Sequence, residues 1–136
     1  MANTKPIGVA YSDQDISGAD TLLSSGQFGY TTAAQGTVTQ ATSKSTAVTL
    51  NKSAGQITMN GAALAASTAV SFTLNNSLLS ANDIVITNIS AGGTSGAYTT
   101  YVSSMTTGSA VITLRNMTAG SLSEAVVINF ALIHCQ

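Results

Sequence analysis

Two-residue periodicity is the feature that most limits the fold of this chain. In Ala69-Val70-Ser71-Phe72-Thr73-Leu74, Val70, Phe72 and Leu74 share one side, with Ser71 and Thr73 on the other. Residues 109–115 behave alike: Ala110, Ile112 and Leu114 face one way, Ser109, Thr113 and Arg115 the other, and Val111 is the apolar exception. Alternation of this kind marks a strand with one buried face. Residues 124–132 are apolar on both faces and predict a strand covered twice. Such double cover comes from stacking on a second sheet or from packing the outer face against another subunit, so a sandwich that oligomerises is expected. Helical periodicity is nowhere sustained.

Further strands are predicted at residues 37–41, 46–50, 56–59, 83–89 and 98–102, with polar turns between them. Asn60-Gly61 and Asn75-Asn76-Ser77 are turn chemistry, because Asn and Gly tolerate positive φ. Residues 62–66 read as a small-residue linker with room for one helical turn. Residues 91–96, Ala-Gly-Gly-Thr-Ser-Gly, read as the most flexible loop. About eight short strands, with turn signals every 8 to 12 residues or so, predict a sandwich or barrel. The fold class expected is all-β: a jelly-roll-like antiparallel β-sandwich over residues 36–136. The Cys and Trp markers of immunoglobulin domains are missing.

Residues 1–35 differ. Ile7, Val9 and Tyr11 alternate briefly, Asp13, Asp15 and Asp20 follow, and residues 24–30 are loop-like. The segment is too poor in apolar residues to fold alone. It is expected to be an extended N-terminal arm that orders on a neighbour, with Ile7, Val9, Tyr11, Phe28 and Tyr30 as its contacts.

Composition excludes several partners. Only 7% of residues are charged, and Lys+Arg is 4 against 5 Asp+Glu. Lys5, Lys44, Lys52 and Arg115 are scattered, whereas nucleic acid or an anionic membrane surface demands clustered cations. Charge also keeps sheet edges and monomers apart. A chain this neutral, with a mean hydropathy of +0.30, is expected to hide surface in an assembly. No apolar run approaches the ~20 residues of a membrane helix. The N-terminus lacks an apolar core of signal-peptide type, so synthesis in a cytoplasm is expected.

Chemistry-bearing residues are few. His134 and Cys135 are the single His and single Cys, and as strand neighbours they point apart, which denies them a nucleophile–base geometry. Asp13-x-Asp15-x-Ser17-Gly18 opens like a calcium loop, but Ser24 stands where the bidentate Glu belongs. Asn51, Asn75, Asn88 and Asn116 each begin a glycosylation tripeptide, read as chance in a chain this rich in Asn, Ser and Thr. Tyr98 or Tyr101, beside the glycine-rich loop, offers a ring for a sugar or a subunit contact. Gly92-Gly93 lacks the Lys and helix of a phosphate loop. Asp83 and Glu124 are the only acids in the sandwich, and no serine elbow accompanies them. The chain is therefore expected to be no enzyme and to use no cofactor or metal.

Residues 36–52, from Gly36-Thr37-Val38-Thr39-Gln40 to Leu50-Asn51-Lys52, continue into Gly55-Gln56-Ile57-Thr58-Met59-Asn60. With Val70-Ser71-Phe72-Thr73-Leu74-Asn75-Asn76-Ser77, Leu114-Arg115-Asn116 and Gly120-Ser121-Leu122-Ser123-Glu124-Ala125, these phrases resemble small structural proteins of tailed bacteriophages. The resemblance covers roughly residues 36–133 and is one of strand and turn phrases, not of a catalytic motif. It implies a capsid decoration (cement) protein that binds the shell as a homotrimer and stabilises it. The partners implied are the chain itself and the major capsid protein, and the place implied is the capsid surface of a virion made in a bacterial cytoplasm. Val127, Phe130 and Ile133 are then expected in the core or the trimer seam. The alternative is a trimeric head- or tail-fibre or receptor-binding domain touching host glycans through residues 91–96.

Overall fold

The computed structural model describes residues 20, 21 and 23–135. One 3-10 turn, Thr32–Ala34, leads into eight strands: β1 Gln35–Thr39, β2 Val48–Thr49, β3 Ala54–Thr58, β4 Ala69–Asn75, β5 Ile84–Ala91, β6 Tyr98–Thr106, β7 Ser109–Asn116 and β8 Val127–Ile133. They build two four-stranded sheets, ordered β1-β3-β8-β5 and β2-β4-β7-β6, stacked as an all-β, jelly-roll-like sandwich. Every strand expected from periodicity is present, with ends displaced by a few residues.

Pairing is antiparallel except at one edge of each sheet, where β1 runs parallel to β3 and β2 parallel to β4. The reason is geometric. From β1 to β6 the chain changes sheet at every step, and each crossing reverses its direction. Two crossings return it to the first sheet pointing the same way. The single hairpin is β6–β7, closed by Thr107-Gly108 with Gly108 at φ +84°. Residues 116–123, which read from the sequence as a polar turn between two strands, belong instead to a connection that carries the chain from one sheet to the other. They are held by a two-way bridge, Leu64 N to Leu122 O at 2.8 Å and Leu122 N to Leu64 O at 3.1 Å. That bridge takes the place of the helical turn allowed for residues 62–66.

The core lies between the sheets. Ile57, Ile128, Phe130 and Leu132 from the first sheet meet Phe72, Leu74, Ile112 and Leu114 from the second, all buried. Each such side chain contributes about 1.5–3 kcal/mol relative to exposure. Polar groups inside the molecule are tied to backbone. Asn116, wholly buried, donates through Nδ2 to the carbonyls of Leu64, Ala65 and Gly120, and accepts at Oδ1 from the Thr118 amide and hydroxyl. Lys44 is only 3% exposed. Its Nζ donates to the carbonyl oxygens of Asn60 at 2.6 Å and Glu124 at 2.5 Å, closing one end of the sandwich. Desolvation pulls its pKa below the ordinary lysine value, opposed by the Glu124 charge.

Candidate interaction surface

The two outer faces differ in chemistry. On the second sheet, outward Ser and Thr bond to one another across strands. Ser71 Oγ and Thr113 Oγ1 lie 2.8 Å apart, and Thr113 Oγ1 donates to Ser103 Oγ at 3.1 Å. Thr106 and Ser109 pair at 3.0 Å where the hairpin closes. Arg115 stands exposed on this same face. The face satisfies itself and carries a charge.

The outer face of the first sheet is built in transverse rows. The register aligns Ile84 with Ile133, and Ile86 with Ala131 and Ala54. The next row is amide: Asn88, Asn129 and Gln56, ending on Thr37. Beyond it Val127 pairs with Thr58. No Asp, Glu, Lys or Arg side chain stands at a strand position of this face among the described residues. Ile84 and Ile86 are each 52% exposed, and Ile133 47%. Asn129 Oδ1 is sealed from solvent and has no hydrogen-bond partner among the described residues.

The N-terminal segment reaches this face. Phe28, Gly29 and Tyr30 line a largely apolar trough of about 480 Å³ with Ile86, Ala131, Leu132 and Ile133, and His134 stands at its border. The Tyr30 hydroxyl donates to the Leu132 carbonyl, and Gln35 Nε2 donates to Tyr30 O at 2.9 Å. Phe28 is nonetheless 87% exposed, so the strap brings a ring to the trough without burying it. Of the residues expected to contact a neighbour, Ile7, Val9 and Tyr11 lie outside the described residues. Of those expected in the core or a seam, Phe130 packs inside the sandwich, whereas Val127 and Ile133 stand on the outer face.

The acids of the sandwich are occupied locally. Asp83 accepts from the Ser80 amide at 2.9 Å, the Ser80 hydroxyl at 2.7 Å, the Cys135 amide at 3.1 Å and His134 Nδ1 at 2.9 Å. Those bonds, the two from Ser80 first, hold its carboxyl far below the usual carboxylate range despite desolvation. Glu124 accepts from the Thr94 hydroxyl at 2.7 Å and amide at 3.1 Å, which lowers its pKa as well. The Tyr98 hydroxyl, shut away from solvent, lies near Glu124 without a formed hydrogen bond. Burial first, then that carboxylate, pushes its pKa up to about 12.

The glycine-rich loop is pinned, contrary to the flexibility expected of it. Glu124 holds Thr94, and Gly92, at φ +74°, presses so close to Ala125 that a side chain there would strike the Ala125 carbonyl oxygen. A polar cleft of about 310 Å³ opens between this loop and Tyr98. Among the described residues, no three His, Cys, Asp or Glu side chains gather to hold a metal, and no helix is long and apolar enough to cross a membrane. Asp13 and Asp15 of the calcium-like loop lie outside the described residues, and Asp20 is exposed.

No protein family, no curated protein and no solved structure matches this chain. The Asp83–His134 pair and the amide row are the features that composition and local pattern missed. Both become readable only once β5 and β8 are paired. Ile84 opposes Ile133 in that ladder, so Asp83 and His134 are simply its next step.

Proposed function

We propose that this chain is a non-enzymatic virion structural protein of the capsid decoration (cement) kind, acting as a homotrimer bound to the major capsid protein. One observation carries the reading. The exposed apolar side chains Ile84, Ile86 and Ile133 gather on one uncharged face, where the N-terminal segment arrives. Burying a half-exposed isoleucine stabilises a contact by about 1 kcal/mol. Symmetric repetition over a shell multiplies many such weak contacts. The phage-like strand and turn phrases supply the kind of partner, and the low charge supports association.

The test adds purified protein to shells that lack it and measures occupancy and heat stability of the particles. Full occupancy with a raised disruption temperature is expected. A chain lacking residues 1–30 should bind weakly. Shells that stay bare reject the proposal.

A second reading, a fibre or receptor-binding domain, is favoured by the pinned loop and its polar cleft, where Ser90, Thr94 and Ser95 lie beside Tyr98. Glycan-array binding, with density at a vertex or tail instead of over the shell, supports it.

A further inference from the structure

We propose that the outer face of the β1-β3-β8-β5 sheet is the docking surface for a second copy of this chain, with the Phe28–Tyr30 strap completing the contact. This rests on the reading of the chain as an assembling structural protein, and it assigns the face that carries that reading to the contact between copies.

Charge selects the occupant. A face without charge across four strands suits another uncharged surface, because a charged partner would lose water around its ions and gain no counterion. The chain itself offers such a surface. Its opposite sheet is excluded by Arg115 and by hydroxyls already bonded to one another.

The amide row points the same way. A buried acceptor without a donor is destabilising. Asn129 Oδ1, sealed beneath the surface, stays so whatever docks, whereas Asn88 and Gln56 beside it are exposed. Amide side chains both donate and accept. The exposed amides of the row, Asn88 and Gln56, can pair with the same row of a second copy without any charge.

Area explains the strap. Four strands at ~4.8 Å spacing and seven residues at ~3.3 Å give a footprint of roughly 440 Å². A stable interface takes about 800 Å² from each partner, so the sheet alone falls short. The segment leading onto the face exposes Leu23 at 88% and Phe28 at 87%, apolar surface that the protomer does not use. The shortfall and the unused surface match.

The experiment measures solution mass by light scattering for the full chain, for Ile86→Lys and for Thr99→Lys. Ile86 is half exposed on the proposed face, and Thr99 is exposed on the other. Circular dichroism confirms that each variant is folded, and Ile133→Lys replaces Ile86→Lys if that variant is not. The native chain should have a mass that is a multiple of 13.6 kDa. A lysine forced into the contact should weaken assembly ~100-fold or more. Thr99→Lys should assemble like the native chain. A native chain of single-copy mass at about 0.1 mM overturns the proposal. So does a folded Ile86→Lys that assembles normally. A single-copy protein that still coats shells removes this surface assignment and the homotrimer with it, and leaves only the shell-binding role. An assembled protein that ignores shells does the reverse.

Discussion

His134 Nδ1 sits 2.9 Å from the Asp83 carboxylate, fastening the end of β8 to the turn that enters β5. Because the carboxyl pKa is depressed in the folded state, Asp83 contributes stability that is fully present above its unfolded value near ~4 and is lost as pH falls below it. Thermal melts across the acid range should show the native midpoint falling there. Asp83→Asn should start lower at neutral pH and lose less on acidification. His134→Ala should have the smaller effect, since the Ser80 bonds are the larger cause of the depressed pKa.

Asn116 holds five hydrogen bonds at the point where the chain leaves β7 for the other sheet. Replacing it with alanine leaves several buried groups unpaired, and Asn116→Ala should cost about 3 kcal/mol. Urea unfolding reads this as a lower midpoint at unchanged slope. Asn88→Ala, on the exposed outer face, should change monomer stability by less than ~0.5 kcal/mol.

Two positive-φ glycines separate strain from collision. Around Gly108 there is open space, so Gly108→Ala should cost only the left-handed backbone penalty, about 1 kcal/mol. At Gly92 the added carbon meets Ala125 as well, so Gly92→Ala should cost about 3 kcal/mol or more and loosen Thr94 from Glu124. Equal losses for the two variants would contradict the packing described for the loop.

Tyr98 sets the alkaline limb. Its folded pKa, pushed up to about 12, exceeds the ordinary value of 10.0, so stability from this group is complete below pH ~10 and is lost as pH rises through that window. Lys44, shifted downward, acts with the opposite sign. Tyr98→Phe removes a buried hydroxyl that has no formed bond, so it should be no less stable than the native protein at neutral pH, with a gain like that expected of Thr100→Val, and should resist alkaline unfolding better.

Thr100 Oγ1 is buried without a partner among the described residues. Thr100→Val keeps the shape and removes the stranded hydroxyl, so it should raise stability by about 1 kcal/mol. A denaturation midpoint no higher than that of the native chain would count against the orphaned atom.

Strand positions were legible because period two is a local signal. Val70, Phe72 and Leu74 announce a buried face whatever lies opposite. Partnership was not legible. Nothing near β1 states that it lies beside β3 and parallel to it, since that depends on where the chain crosses between sheets. The Asn-x-Ser/Thr tripeptides illustrate a second limit. Asn116-Met117-Thr118 looks like a sugar acceptor, yet it is a local turn in which the Asn carbonyl oxygen captures the Thr amide and hydroxyl. Lys44 looked like one of a few scattered cations, and its burial follows from carbonyls 16 and 80 positions away. The outer face lay half in view. The apolar character of β8 predicted cover on both sides, but the charge-free rows require the register of four strands.

The last strand in the chain is an inner strand of its sheet, wedged between β3 and β5. Without β8, β3 has no link to β5, and the sheet exists as two unjoined pieces. A shortened product ending before β8 therefore leaves apolar strand edges open to whatever chain is nearby.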